Sequence, residues 1–340
     1  MSSEGLRLEP LGLGQLFDRS VKLYRGNLRL ILALSGLAFA VTFLLTTPQM
    51  NVVHHVFGEL LGILEGESLD SFGLPNVVSR LLLFILTATI TSTLAEGLVI
   101  QAAGPLYLGR SATFRESLMQ FLPKVPKLIL TRLIALVVYG IVLGLGIVAM
   151  GFVLMYVVSY LVKHGVPNSQ AYMLSGLAVF LFVQLPMLAV VLWLFLCWVL
   201  LPAVVVIEGK GYLAALLRSA SLIRRRDPST KPSRHMSRAA VLFMALTAIY
   251  GSVHSVLLTL YYTVGFFAGG TSGSWRDVIL GPTHLSSAVT VPFVLLINAC
   301  DAALQPLVWL AMIALYFDIR VRHEGYDLER VAERLAATGS

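Results

Sequence analysis

The chain has 340 residues, 57% hydrophobic and only 13% charged, with 25 Lys and Arg against 18 Asp and Glu for a formal charge of +7. A soluble domain carries roughly 25% charged residues, so the composition points away from a water-soluble fold and toward lipid. The bases lie beside apolar runs, and the basic linker from Arg224 to Arg234 has no aromatic residues among its bases, so no nucleic-acid partner is expected.

Taken in chain order, the sequence opens with Leu13, Leu16, Phe17, Val21, Tyr24 and Leu28 at helical spacing, opposite Gln15, Asp18, Arg19, Lys22 and Arg25. That pattern predicts a short amphipathic helix lying in the membrane interface. A span needs roughly 20 mostly apolar residues, because a helix rises 1.5 Å per residue and the hydrocarbon core is about 30 Å thick. By that measure six spans are predicted: Leu28–Thr47, Val78–Leu108, Lys127–Leu161, Tyr172–Ile207, Arg238–Ala268 and Ser286–Phe317. A second amphipathic helix precedes the third span, where Thr113 and Glu116 have capping-box spacing and Phe114, Leu118, Phe121 and Leu122 share a face. A third precedes the fifth span, with Leu213, Leu216, Ala220 and Ile223 opposite Arg218, Ser221 and Arg225. Gly140, Gly144, Gly146 and Gly151 in the third span are candidates for close helix approach. Cys197 and Cys300 lie inside apolar runs, so no disulfide framework is expected.

Charge sets the orientation. No Lys or Arg occurs from Thr46 through Ser79, whereas Lys210, Arg218, Arg224, Arg225, Arg226, Lys231, Arg234 and Arg238 crowd one connection. Cationic loops resist translocation, so the predicted topology has six transmembrane helices, both termini in the cytoplasm, and a location in the cell inner membrane. The expected fold is an all-α integral membrane protein, residues 1–340 forming one polytopic domain with three cytoplasmic in-plane helices and an amphipathic tail over 321–340. Three units, 11–110, 111–210 and 211–320, match as in-plane helix, outward span and return span. They read either as a threefold helix–hairpin repeat or as the basic connectors of any polytopic protein. The return spans end alike, in Leu106-Tyr107-Leu108-Gly109-Arg110, Val205-Val206-Ile207-Glu208-Gly209-Lys210 and Leu315-Tyr316-Phe317-Asp318-Ile319-Arg320, where an acidic or small residue followed by a base marks the headgroup boundary.

The segment from Leu11 to Arg25, Leu-Gly-Leu-Gly-Gln-Leu-Phe-Asp-Arg-Ser-Val-Lys-Leu-Tyr-Arg, and the closing segment from Leu315 to Glu329 resemble the two ends of a prokaryotic family, the membrane domain named after glycerophosphoryl diester phosphodiesterase. The resemblance covers essentially the whole chain and implies a stand-alone multi-span protein of unknown role. The phosphodiesterase activity resides in a separate soluble domain bearing a His-Arg-Gly element, which this sequence lacks; His323-Glu324-Gly325 is a superficial echo of it.

Ionisable groups inside spans are costly and default to functional candidates. Asn298, Asp301 and Gln305 share one face of the sixth span directly before Pro306; Glu96 shares a face with Thr89, Ser92 and Thr93, followed by Gln101 and Pro105; Gln184 and Pro186 sit in the fourth span. These groups read either as a polar seam that binds a headgroup or moves a proton or small solute, or as interhelical hydrogen-bond glue. With no Lys or Arg at its depth, Asp301 is expected to be neutral, hydrogen-bonded to polar groups of a neighbouring helix and not paired with a base, and His254 is read as a packing residue. Arg218, Arg224, Arg225, Arg226 and Lys231 are the candidates for contact with the anionic inner leaflet. His54, His55 and Glu59 read as a solvated outer loop, so no metal or other cofactor is expected, and no nucleotide, hydrolase or metalloprotease motif occurs. The expected function is that of a non-enzymatic, lipid-interacting scaffold or assembly factor, with a protein partner through the tail; a small-solute or lipid carrier using Asp301 and Glu96 is the alternative.

Overall fold

The computed structural model describes residues 11–46, 74–164, 169–224, 234–269 and 287–325. All regular structure among them is helical: α1 (Leu13–Gly26), α2 (Leu28–Thr46), α3 (Leu74–Tyr107), α4 (Phe114–Phe121), a 3-10 turn (Leu122–Lys124), α5 (Val125–Lys163), α6 (Ser169–Cys197), α7 (Leu201–Glu208), α8 (Tyr212–Arg224), α9 (Arg234–Gly269) and α10 (Ser287–Glu324). Six stretches, around α2, α3, α5, α6 with α7, α9 and α10, are long and apolar enough to cross a membrane. A helix is the only open-chain state that satisfies its own backbone in lipid.

The long helices pair as hairpins, α2 with α3, α5 with α6 and α9 with α10, while the short helices pack on return helices: α4 on α3, α8 on α7 and α1 on α10. α3, α7 and α10 also touch one another. Buried residues concentrate there, in Leu98–Ala103, Leu200–Val206 and Leu310–Phe317. Away from these stretches the side chains are bare of protein: Ile147, Phe152, Tyr156, Phe182, Val256 and Phe267 are all exposed. Such surface is what lipid tails cover, and lipid supplies no hydrophobic drive for helices to associate, so close packing and polar contacts must hold the bundle.

Small residues permit that packing at defined points. A Cβ on Gly97 would come within 2.5 Å of Leu128 and 2.6 Å of Phe121, so the α4–α5 connection rests directly on the α3 backbone. Of the four glycines singled out in the third span, only Gly146 makes a close approach, to Met187 of α6; Gly140, Gly144 and Gly151 face open space.

Helix ends and breaks are closed by polar side chains from neighbours. Pro306 cannot donate to the carbonyl of Ala302. Ser35 of α2 donates to it instead, at 2.8 Å, and Tyr24 of α1 donates to the adjoining Ala303 carbonyl at 2.6 Å. The fourth span, predicted as continuous, breaks between Cys197 and Leu201, one turn before the Pro202 ring enters α7. There the Leu201 amide bonds the Trp198 carbonyl at 3.0 Å, and Ser219 of α8 donates to the Cys197 carbonyl at 2.9 Å. α3, α7 and α10 each stop at a left-handed glycine, Gly109 (φ 75), Gly209 (φ 70) and Gly325 (φ 58), a conformation that L side chains resist. Lys124 and Lys127 donate to the Val206 and Gly209 carbonyls at 2.6 and 2.8 Å, which closes the end of α7.

The sixth span does not stop at a headgroup boundary after Phe317. α10 runs on through Glu324, so residues 321–324 of the expected tail are helix, and the remainder from 326 lies outside the described residues. Asp318, read as a boundary residue, has a fully buried side chain. Its carboxylate pairs with Arg238 of α9 at 2.9 Å and Arg322 at 3.1 Å, and accepts from the Leu11 amide at 2.7 Å. Both guanidiniums also donate to the Leu11 carbonyl, at 2.5 and 2.9 Å. The Thr113–Glu116 cap forms with a variation: the Glu116 amide donates to the Thr113 hydroxyl at 3.3 Å, and that hydroxyl donates to the Glu116 carboxylate at 2.8 Å.

Breaking a buried ion pair on one side typically costs about 3–5 kcal/mol, whereas overfilling a tight contact costs about 1–3 kcal/mol. Asp318→Ala is therefore expected to lower the melting temperature in detergent more than Gly97→Ala, and both more than Gly144→Ala; a melting curve of Asp318→Ala that overlays the parent would contradict the central place given to this carboxylate.

Candidate functional site

The polar residues inside the spans gather into separate clusters on different helix pairs. Between α9 and α10, Tyr250 donates to Asp301 Oδ1 at 3.0 Å, His254 Nδ1 lies 3.2 Å from the same oxygen, and Gln305 donates to the Tyr250 hydroxyl at 3.2 Å. Asp301 has the polar neighbour on another helix that was expected, Tyr250, but the expectation that no base would pair with it fails, because His254 of α9 lies against the same oxygen. Tyr250 and His254 were missed as partners, although their i, i+4 spacing puts them on one face of α9. Asn298 turns away and donates to the Val294 carbonyl of its own helix at 2.8 Å. The Asp301 side chain is 14% exposed and that of His254 27%, so the imidazole is the more open side of the cluster. A carboxyl and an imidazole at this distance can pass a proton between them, and the Tyr250 hydroxyl holds the carboxyl oriented.

Between α3 and α5, Glu96 forms a salt bridge with Arg132. Arg132, near the amino-terminal end of α5, therefore neutralises the one acidic residue of α3. Thr93 and Ser92, expected on the same polar face, donate back to the Thr89 carbonyl of their own helix. Gln101 is buried and bridges helices: it donates to Gln120 at 2.9 Å and accepts from Lys124 at 2.7 Å. Gln184 reaches the Met150 sulfur at 3.7 Å across the α5–α6 pair. Glu96 and Asp301 share no hydrogen-bond or ion-pair partner among the described residues.

The basic candidates divide. Arg218 is held at 3.1 Å from Glu208 and 2.6 Å from Glu324, with its side chain 16% exposed. Burial alone would make its guanidinium easier to deprotonate, but the two carboxylates reverse that and hold its pKa above the ordinary value. Tyr316, Lys210 and Arg320 complete the network through Glu208 and Glu324. Arg218 thus joins α8 to α7 and α10. Arg224 is exposed, its guanidinium 5.5 Å from the centre of the Trp193 ring. Arg225, Arg226 and Lys231 lie outside the described residues, as do His54, His55 and Glu59. The echo motif is used structurally: Glu324 is in the Arg218 network, Gly325 ends α10, and His323 Nε2 lies 2.6 Å from His235 Nε2 of α9.

If Glu96 and Arg132 serve mainly to tie α3 to α5, Arg132→Met should cost about 3 kcal/mol, the low end for a broken pair because both side chains keep some exposure. Adding Glu96→Gln should restore most of it, and a double-mutant cycle from melting in detergent measures the coupling. Asp301→Asn keeps acceptors for Tyr250 and is expected to move the melting point by less than about 1 kcal/mol equivalent, while Asp301→Leu strands the tyrosine and costs more. Compared with protein-family models, curated proteins and solved structures, the chain gives no match.

Proposed function

We propose that this is a non-enzymatic bacterial inner-membrane protein whose basic end faces the cytoplasm and works as a lipid-seated scaffold or assembly platform. The observation that carries the reading is the surface of the short helices. α4 and the following turn expose Phe114, Met119 and Leu122, and α8 exposes Leu213 and Leu217, although each helix already buries its other face in the bundle. Exposed bases, Arg115 and Arg224, belong to the same helices. Apolar side chains and bases presented together suit the interface of an anionic leaflet, where each base contributes about 1 kcal/mol.

The same contacts support the threefold reading of the chain. α4 packs on the return helix of the first unit, α8 on that of the second and α1 on that of the third, so the units close head to tail around α3, α7 and α10. The three left-handed glycines fall at the equivalent points. The likeness of the chain ends to the stand-alone membrane-domain family accords with a role without catalysis, and the tail beyond 325 is the segment offered to a protein partner.

The carrier alternative is favoured by one feature, the Asp301–His254–Tyr250 cluster, with Glu96 tied to Arg132 and contributing only as a helix tie. It requires proton-linked flux in proteoliposomes that Asp301→Asn abolishes.

Charge reversal of Arg224, Arg225 and Arg226 to Glu is expected to lower the phosphatidylglycerol retained by the purified protein severalfold and to release any copurifying partner, with the melting point unchanged. Retention equal to the parent in both respects would count against the platform. A membrane-impermeant maleimide should label Leu217→Cys in inverted vesicles and not in intact spheroplasts.

A further inference from the structure

A cavity of about 180 Å³ opens at the basic end where α3, the 3-10 turn and α7 meet. Its polar lining is Gln101, Arg110 and Lys124, and its apolar walls include Leu108, Ile207 and Phe317. No acidic residue lines it. Lys124 spends two of its three N–H bonds, on Gln101 and on the Val206 carbonyl, and has no carboxylate partner among the described residues. Arg110 is exposed, fixed at the backbone by a 3.0 Å bond from its amide to the Pro105 carbonyl, and its guanidinium has no partner among the described residues. One ring away the imbalance continues. Arg19 lies 4.5 Å over Tyr107, and its buried Nε and Nη2 have no hydrogen-bond acceptor among the described residues. Tyr107 in turn stacks on the cavity wall Phe317 at 4.8 Å.

Two cations, Lys124 and Arg110, thus border one opening whose lining holds no anion, and charged donors left without an acceptor are costly. From this geometry we infer that the cavity binds the phosphate of an anionic ester, with Lys124 and Arg110 donating to its oxygens and the Leu108–Ile207–Phe317 wall taking a short carbon substituent. The volume equals about six waters of liquid, which admits a phosphate with a glycerol-sized group and not a whole lipid. Lys124 is preorganised for this: Gln101, itself tied to Gln120, and the α7 carbonyl fix its ammonium at the cavity edge. The site is separate from the exposed Arg224 surface and stands whether or not that surface seats the protein on lipid.

The test is calorimetric titration of the purified protein in neutral detergent with two probes, dihexanoyl phosphatidylglycerol and inorganic phosphate. Saturable one-to-one binding is expected, weakened about tenfold or more in Arg110→Gln and in Lys124→Gln, since a hydrogen bond to a charged group contributes about 1.5–3 kcal/mol. Arg224→Gln should bind like the parent, which separates this site from the lipid-platform reading. Tighter binding of the lipid probe than of phosphate assigns the ligand to a membrane headgroup, whereas comparable binding assigns it to a soluble phosphate ester. The Arg110 guanidinium has no hydrogen-bond or ion-pair partner among the described residues to lose, so its variant reports on binding even if Lys124→Gln melts early. Absence of saturable binding by either probe, or binding unchanged in Arg110→Gln, overturns the assignment.

Discussion

A carboxylate sealed from solvent between two guanidiniums fixes the basic end of this molecule. Asp318 is surrounded by Arg238, Arg322 and the Leu11 amide, and the same guanidiniums close on the Leu11 carbonyl. Two cations around one anion leave a net positive charge, which the peptide carbonyl partly offsets. Such a cluster is tolerable only if every member is in place, because a buried charge without its partner costs far more than the pair contributes. α1, α9 and α10 are therefore held in one arrangement, and the second network, Arg218 with Glu208 and Glu324, holds α7, α8 and α10 in the same way.

The consequence is a bundle with two unlike ends. At the basic end, aromatic stacking of Tyr107 on Phe317, fully buried Leu200, Leu201 and Leu310, and ion pairs make a core resembling that of a soluble domain. Toward the other end the helices keep their apolar side chains exposed, and the polar ties are sparse: Glu96 with Arg132, Asp301 with His254 and Tyr250, Gln184 with Met150. Lipid solvates those exposed side chains without cost, so their exposure carries no penalty at this end.

The parts legible in the sequence were those governed by one-dimensional rules. Span length located six membrane-length helical stretches, missing the break in the fourth and the extension of the sixth, and Gly109 and Gly209 marked where return helices stop. The orphan carbonyl behind Pro306 could be anticipated, but not that Ser35 would fill it, since that depends on which helix lies alongside. Pro202 sits in an unbroken apolar run, and its break at Cys197 needs Ser219 of α8 to make the gap affordable. Asp318 followed by Arg320 and Arg322 looks like a headgroup boundary by composition; Arg238, eighty positions earlier, makes it an interior instead. Asp301 was visible as an expensive residue, while its partnership with His254 needed the register between α9 and α10.

The pairing of Leu11 with Asp318 also sets an order in time. The two are separated by 307 residues, so at about 5–20 residues per second the amino-terminal segment leaves the ribosome roughly 15–60 s before its carboxylate partner exists. During that interval α1 has no α10 to lie on, Tyr24 lacks the Ala303 carbonyl, and Ser35 lacks that of Ala302. Among the described helices α1 is thus translated well before the helix it packs on, and the nascent chain exposes basic, half-apolar surface to whatever insertion machinery or lipid stands by until α10 arrives.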